Sequence, residues 1–287
     1  MPASRPRVHV APTVARAPHP VGPHCMIRQF RYTDFAEDMS PLVLADHFLM
    51  TGPTFEPHPH AGMSAVTVLF EETRGAMRSL DSVHNHHLIA PGDLHWTQAG
   101  RGIVHTQRPE GADARLDGLQ LFVNLPAKLK RIAPETLLLR ARDVPVIEAA
   151  GARLRVLAGE LAGRRSPLTP PQDILIVDGR LMPGAHASLP LPAGWNLWLY
   201  ARRGRLDMRV GDAAEPATLA TGEATALSAD DSAAVALHAP DGEVAFVAIA
   251  GPAIHEPIVQ GGPFVMNTPS EIEQAFADYR AGKFGSV

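Results

Sequence analysis

The sequence predicts a mainly β protein built from two stacked β-barrels of jelly-roll type. The 287 residues include 24 glycines and 27 prolines spread along the chain, as expected for many short strands joined by tight turns. The second half also repeats the first weakly: Ala193 and the strand after it align on Ala61, 132 residues earlier, and Ala220 aligns on Ala90, 130 residues earlier. An internal repeat of short strands is typical of paired barrels.

The apolar segments of the first half follow this plan in order. Residues 26–30 and 42–44 are apolar pieces that predict the opening strands. Residues 64–70 are rich in β-branched side chains, as in a strand packed on both faces. Residues 90–93, Ala-Pro-Gly-Asp, predict a turn, and residues 119–125 alternate with leucine or valine on one face.

One helix is predicted, at residues 269–281. Thr268 is a good N-cap, Pro269 suits the first helical position, and Glu271 completes a capping box. Gly282 then ends the helix.

Composition excludes several classes of function. The net charge is −4 and no dense basic cluster occurs, so we expect no direct nucleic-acid binding. No apolar run approaches the ~18 residues of a membrane span. The single cysteine, Cys25, cannot form an internal disulfide, which favours a reducing, cytoplasmic location. Cys25 ends a proline-rich segment, residues 1–25, that we expect to be a disordered tail.

Three histidines predict a metal site in the first barrel. His58 and His60 flank a proline and point the same way from an extended segment, since side chains alternate faces with period two. His105 follows 45 residues after His60, after further short strands. Three imidazoles that leave coordination positions open are typical of a reactive metal site, whereas structural sites are closed.

The second barrel lacks a copy of this site. The repeat offsets carry the three histidines onto Pro190, Pro192 and Val235. None of these side chains can bind a metal.

Long motifs at both ends resemble the pirin family over roughly residues 27–285. They are HPHAG, PGDLHWTQAGRGIVH, LQLFVNLPAK and GPFVMNTPSEIEQAFADYRAGKFG. The resemblance implies two cupin domains, at residues 26–145 and 146–287, of which the first holds one metal ion, usually iron. Pirins bind it through an HxH pair and a later H-x-E. Here the histidines of these motifs are His58, His60 and His105.

The fourth ligand departs from the family, because Gln107 stands where pirins have glutamate. A glutamine oxygen can coordinate a metal, but it is neutral and its amide cannot accept a proton near neutral pH. His95 occupies a position where pirins commonly have glutamine, and we consider it a candidate base for the missing carboxylate. The nearby cluster His84, His86 and His87 is interpreted as a solvated loop, the alternative being that one of the three lies at the rim of the substrate pocket.

The resemblance implies a quercetin 2,3-dioxygenase-like enzyme that uses iron(II) and O₂ on a flavonol or another small aromatic or enolic substrate. Mn, Ni or Cu also suit a histidine-rich site. Three alternatives stay open: an iron-binding redox sensor or regulator with an unknown protein partner, an isomerase or hydrolase using a Lewis-acid metal, and a degenerate site with weak or no metal.

Overall fold

The computed structural model describes residues 7–36, 38–211 and 217–287, and within these ranges it confirms a mainly β fold of two barrels. The strands of the first half are β1 Val8–Val10, β2 Val14–Ala15, β3 His19–Val21, β4 Cys25–Arg31, β5 Leu42–Met50, β6 His58–His60, β7 Met63–Leu69, β8 Arg74–Asp81, β9 His86–Ile89, β10 Leu94–Gln98, β11 Ile103–Asn124 and β12 Glu135–Leu139. Those of the second half are β13 Val146–Ala149, β14 Ala152–Ala158, β15 Glu160–Leu161, β16 Arg164–Arg165, β17 Leu175–Leu181, β18 His186–Leu191, β19 Trp195–Arg203, β20 Leu206–Val210, β21 Ala217–Leu219, β22 Glu223–Ala229, β23 Ala233–His238, β24 Val244–Pro252, β25 Val259–Gly261 and β26 Phe264–Met266.

The first barrel has two faces joined by the long strand β11. One face has the order β12-β10-β7-β11-β5-β4-β3, and the other contains β6, β8 and β9. The first part of β11 pairs with β6 and β8, and its second part pairs with β5 and β7. The register shifts between Glu110 and Arg115, where the strand passes from one face to the other. Residues on β5 and β6 therefore line one interior from opposite faces.

The second barrel repeats this plan with an apolar filling. Its larger sheet has the order β1-β22-β19-β24-β17-β14-β13, and its smaller sheet has the order β18-β23-β20-β21. Leu189 and Leu191 of β18 and Val235 of β23 are fully buried in the core between them.

The large sheets of the two barrels pack against each other through aromatic side chains. Phe30 of the first barrel lies 5.7 Å from Trp198 and 5.3 Å from Tyr200 of the second, measured between ring centroids. Trp96 and Ile249 belong to the same buried cluster. Burial of apolar area on this scale fixes the barrels to one another.

The N-terminal segment corrects one prediction. Residues 7–25, expected to be part of a disordered tail, contain three strands, while residues 1–6 lie outside the described ranges. β1 pairs with β22 of the second barrel, with His9 opposite Ser228, and β3 pairs with β4. The physical reason is that a sheet edge offers unpaired backbone groups, which an extended segment satisfies even when it contains prolines.

The C-terminal segment crosses in the other direction and packs on the first barrel. The predicted helix is confirmed as α1, Pro269–Arg280, with Thr268 as its cap. Val265 of β26 donates its backbone N–H to the carbonyl of Ala61, and Phe264 joins a buried cluster with Ala61. The described ranges hold no helix with the length and apolarity needed to cross a bilayer.

Two glycines allow this close packing beside the histidine strands. Gly62 has φ +75°, and a Cβ there would lie 2.0 Å from the carbonyl oxygen of Val265. Gly102 has φ +140°, and a Cβ there would lie 2.1 Å from the Phe284 ring. Both positions therefore require glycine.

Candidate metal centre

Two neighbouring strands bring the three predicted histidines together. β6 runs antiparallel to the start of β11, with His58 opposite His105 and His60 opposite Ile103. The proline between His58 and His60 keeps β6 extended, so both imidazoles leave the same face of the strand. His60 and His105 are buried, whereas His58 is only partly buried.

The geometry of the three imidazoles fits one metal ion. One ring nitrogen from each lies within 4.8 Å of the others, and no other such group of histidine, cysteine or acidic side chains occurs in the described ranges. The Nε2 atoms of His58 and His105 lie 3.2 Å apart. Two nitrogens that each lie about 2.1 Å from one metal would be separated by roughly 3.0–3.4 Å at ligand angles of about 90–110°.

Hydrogen bonds orient two of the rings for metal binding. His58 donates Nδ1–H to the carbonyl of Glu56 at 2.8 Å, and His60 donates Nδ1–H to the carbonyl of Pro263 at 3.3 Å. These bonds leave the Nε2 lone pairs free, as is usual for histidine ligands. The lone pairs of His58 and His105 then face each other at 3.2 Å, an arrangement that a cation between them would stabilise.

Burial keeps the three imidazoles neutral. It lowers the pKa of His60 to about 3, with a further contribution from His58. It also lowers the pKa of His58, and it lowers the pKa of His105 well below the ordinary value. Neutral imidazole is the form that binds metals.

A cavity of about 130 Å³ opens onto the histidines. A cavity of that order accepts a single benzene ring. Its walls are mostly apolar, and Phe55, which is 41% exposed, marks its mouth. The lining side chains are those of Ile27, Asp46, Phe48, Met50, Phe55, His58, His60, Met77, His105, Gln107, Gln120 and Phe122.

Gln107 lies in this cavity wall, as the sequence placed it beside the histidines. The hydroxyl of Thr67 lies 3.0 Å from its amide oxygen and 2.9 Å from the amide oxygen of Gln120. Its oxygen is thus already engaged in a hydrogen bond, and metal binding by Gln107 stays a prediction.

His95 lies behind the cavity wall. Its Nε2 is 3.1 Å from Nδ1 of His87, and its Nδ1 is 3.5 Å from both Thr97 and the amide nitrogen of Gln107. His95 is buried and is not among the side chains that line the cavity, so its predicted catalytic role stays untested. His84, His86 and His87 likewise lie outside the cavity lining.

Asp46 and Gln120 are cavity residues that the sequence analysis missed. A signal was available: residues 42–50 read LVLADHFLM, in which an acidic residue interrupts a mainly apolar strand. The alternation of side chains along β5 and β11 turns both residues toward the interior.

At the equivalent positions of the second barrel, Val235 is buried among leucines. Pro190 and Pro192 offer no ligand atom. The prediction of a metal-free second barrel is consistent with these side chains and still requires a measurement.

Comparison with known proteins agrees with this architecture. Residues 11–123 match the family model "Pirin", and residues 176–285 match "Pirin C-terminal cupin domain". A "Pirin-like protein" of Solanum lycopersicum is 36% identical, over 98% of this chain and 94% of its own length. A "Putative quercetin 2,3-dioxygenase" of Pseudomonas aeruginosa is 35% identical, over 86% of this chain and 87% of its own length.

A solved structure, titled quercetin 2,3-dioxygenase from Acinetobacter baumannii, is similar throughout. It superposes with a TM-score of 0.84 at 29% identity, covering 97% of this chain and 99% of that one. Both family models and relatives along the whole chain lead to one conclusion: this chain belongs to the pirin family of two-domain cupins.

Proposed function

We propose that this protein is a metal-dependent oxygenase that acts on a small aromatic or enolic substrate of the flavonol type. The observation that supports it best is the joining of three neutral, converging imidazoles to an enclosed, mainly apolar cavity. The similarity to proteins named quercetin 2,3-dioxygenase favours the same reaction.

The residues present fit a metal of the iron(II) type. His58, His60 and His105 would hold it, and three histidine ligands leave positions open for other molecules. When bound, the metal would supply a redox centre and a template that orients substrate and O₂. Manganese, nickel and copper suit the same nitrogen donors, so the identity of the metal is a separate question.

The cavity walls select and orient the substrate. Phe48, Met77 and Phe122 supply apolar area for one aromatic ring, and exclusion of water strengthens polar interactions inside the cavity. A flavonol would place one ring here and extend past Phe55 toward solvent.

Turnover of quercetin in air tests the proposal, with an anaerobic reaction as the first control. The protein should be loaded with iron(II), and its metal content should be measured in the same sample. We expect O₂ uptake that depends on both metal and substrate and that disappears in His105→Ala. A loaded protein that binds quercetin but consumes no O₂ would favour the regulatory alternative.

A further inference from the structure

The cavity contains one carboxylate that the proposed chemistry has not used. Asp46 lies on β5, across the barrel interior from the histidine strands, and it lines the same cavity as His58 and His105. Among the described residues that form this lining it is the only acidic side chain. A flavonol or catechol-like substrate must lose a hydroxyl proton as it binds a metal, and Gln107 cannot accept that proton.

One oxygen of Asp46 lacks a partner. Oδ1 is buried and has no hydrogen-bond donor among the described residues. Its neighbours across the sheet are Gln29 on β4 and Gln120 on β11. A buried carboxylate oxygen without a donor is rare and costly, so its presence in a cavity wall indicates a site for a donor from the ligand.

The surroundings suit Asp46 to proton transfer near neutral pH. Burial raises the pKa of Asp46 to about 6, although Gln29, Arg31 and His19 on the β3 and β4 side favour the charged form. The Cys25 thiol lies near it on the same side, and the neutral Gln120 faces it from β11. A carboxylate with these properties is still mostly ionised at pH 7, yet it is more basic than an exposed one.

Building on the oxygenase function proposed above, we propose that Asp46 is the catalytic base that accepts the hydroxyl proton of the substrate. The substrate O–H bond breaks, its electron pair stays on the substrate oxygen, and the proton moves to Oδ1 of Asp46. His95 suits this step less well, because it lies behind the cavity wall and one ring nitrogen is occupied by His87.

Proton release on ligand binding tests the assignment without using turnover. Catechol, which is neutral at pH 7, is titrated anaerobically into iron(II)-loaded protein in weak buffer, and the released protons are counted with a pH indicator. In the wild type, Asp46 retains one proton that would otherwise enter the solvent. Asp46→Asn should therefore release one more proton per bound catechol than the wild type. Below about pH 7 its affinity should fall more steeply with falling pH than that of the wild type, by about one extra factor of ten per pH unit.

Asp113→Asn is a matched control, because Asp113 is exposed and lies outside the cavity lining. It should release the same number of protons as the wild type. Equal proton counts for wild type and Asp46→Asn would overturn the assignment, and so would unchanged quercetin turnover in a wild type that is active. Turnover in Asp46→Asn should instead fall by ~10²- to 10⁴-fold.

The two proposals fail differently. If the loaded wild type binds catechol with the expected proton counts but no variant consumes O₂, the oxygenase proposal fails and the role of Asp46 in proton transfer stands. If the loaded wild type does not bind catechol, both are contradicted.

Discussion

Replacing Asp46 by asparagine should stabilise the protein at neutral pH, because a buried charge is removed. Burial raises the pKa of Asp46 from 3.8 to about 6. A difference of about 2 units between folded and unfolded states corresponds to about 3 kcal/mol of unfolding free energy.

The pH dependence follows from the direction of this shift. Because the folded-state pKa of Asp46 is raised, the native state binds the proton more tightly than the unfolded state between about pH 4 and pH 6. The wild type therefore loses stability as the pH rises through this window, and Asp46→Asn escapes the loss. The stabilisation by the variant should be nearly complete above pH 7 and should shrink to about a third near pH 4.5.

Urea unfolding of the metal-free proteins at pH 4.5 and 7.5 provides the measurement, with Asp113→Asn as the exposed control. Metal must be removed, since a bound ion would stabilise each protein by its own affinity. The same stability difference at both pH values, or a less stable Asp46→Asn, would refute the reasoning. Stabilisation together with lost proton uptake would be the pattern expected of a functional residue maintained at a cost in stability.

Two further substitutions test the surroundings of the site. Gln107→Glu should tighten metal binding through its added charge; in the wild-type background it should change quercetin turnover at pH 7 by less than about tenfold, whereas in Asp46→Asn it should restore ~10²-fold or more, because the new carboxylate supplies a base. Equal effects in the two backgrounds, with metal content measured alongside, would contradict this. Lys130 donates from its buried ammonium to Gly62, Asn124 and Val265 at 2.6–2.9 Å, so Lys130→Met should leave these acceptors unsatisfied and lower the unfolding free energy by roughly 3 kcal/mol or more. An unchanged urea midpoint would show that the contact is dispensable.

The repeat and the histidine pattern were readable from the sequence because both are local. His58 and His60 need only the alternation of an extended segment, and the capping box of α1 lies within four residues. The barrels followed from many short strands whose approximate positions the repeat confirmed. These features depend on side chains close together in the chain.

The features that were missed depend on distant pairing. β1 lies about 220 residues from its partner β22, and nothing in residues 7–15 indicates that edge. β12 lies in a segment read as a linker, and it becomes a strand by pairing with β10. Asp46 joins the site only because β5 faces β6 across the barrel, a contact that no local pattern specifies.

The central claim is that His58, His60 and His105 bind one metal ion. The most direct measurement is the metal content of protein purified without a histidine tag, determined by elemental mass spectrometry for the wild type and for His105→Ala. We expect one ion per wild-type chain and a loss of nearly all metal in the variant, because removing one of three ligands leaves a weak pair. Equal metal content in the two proteins, or none in the wild type even after loading, would contradict the account.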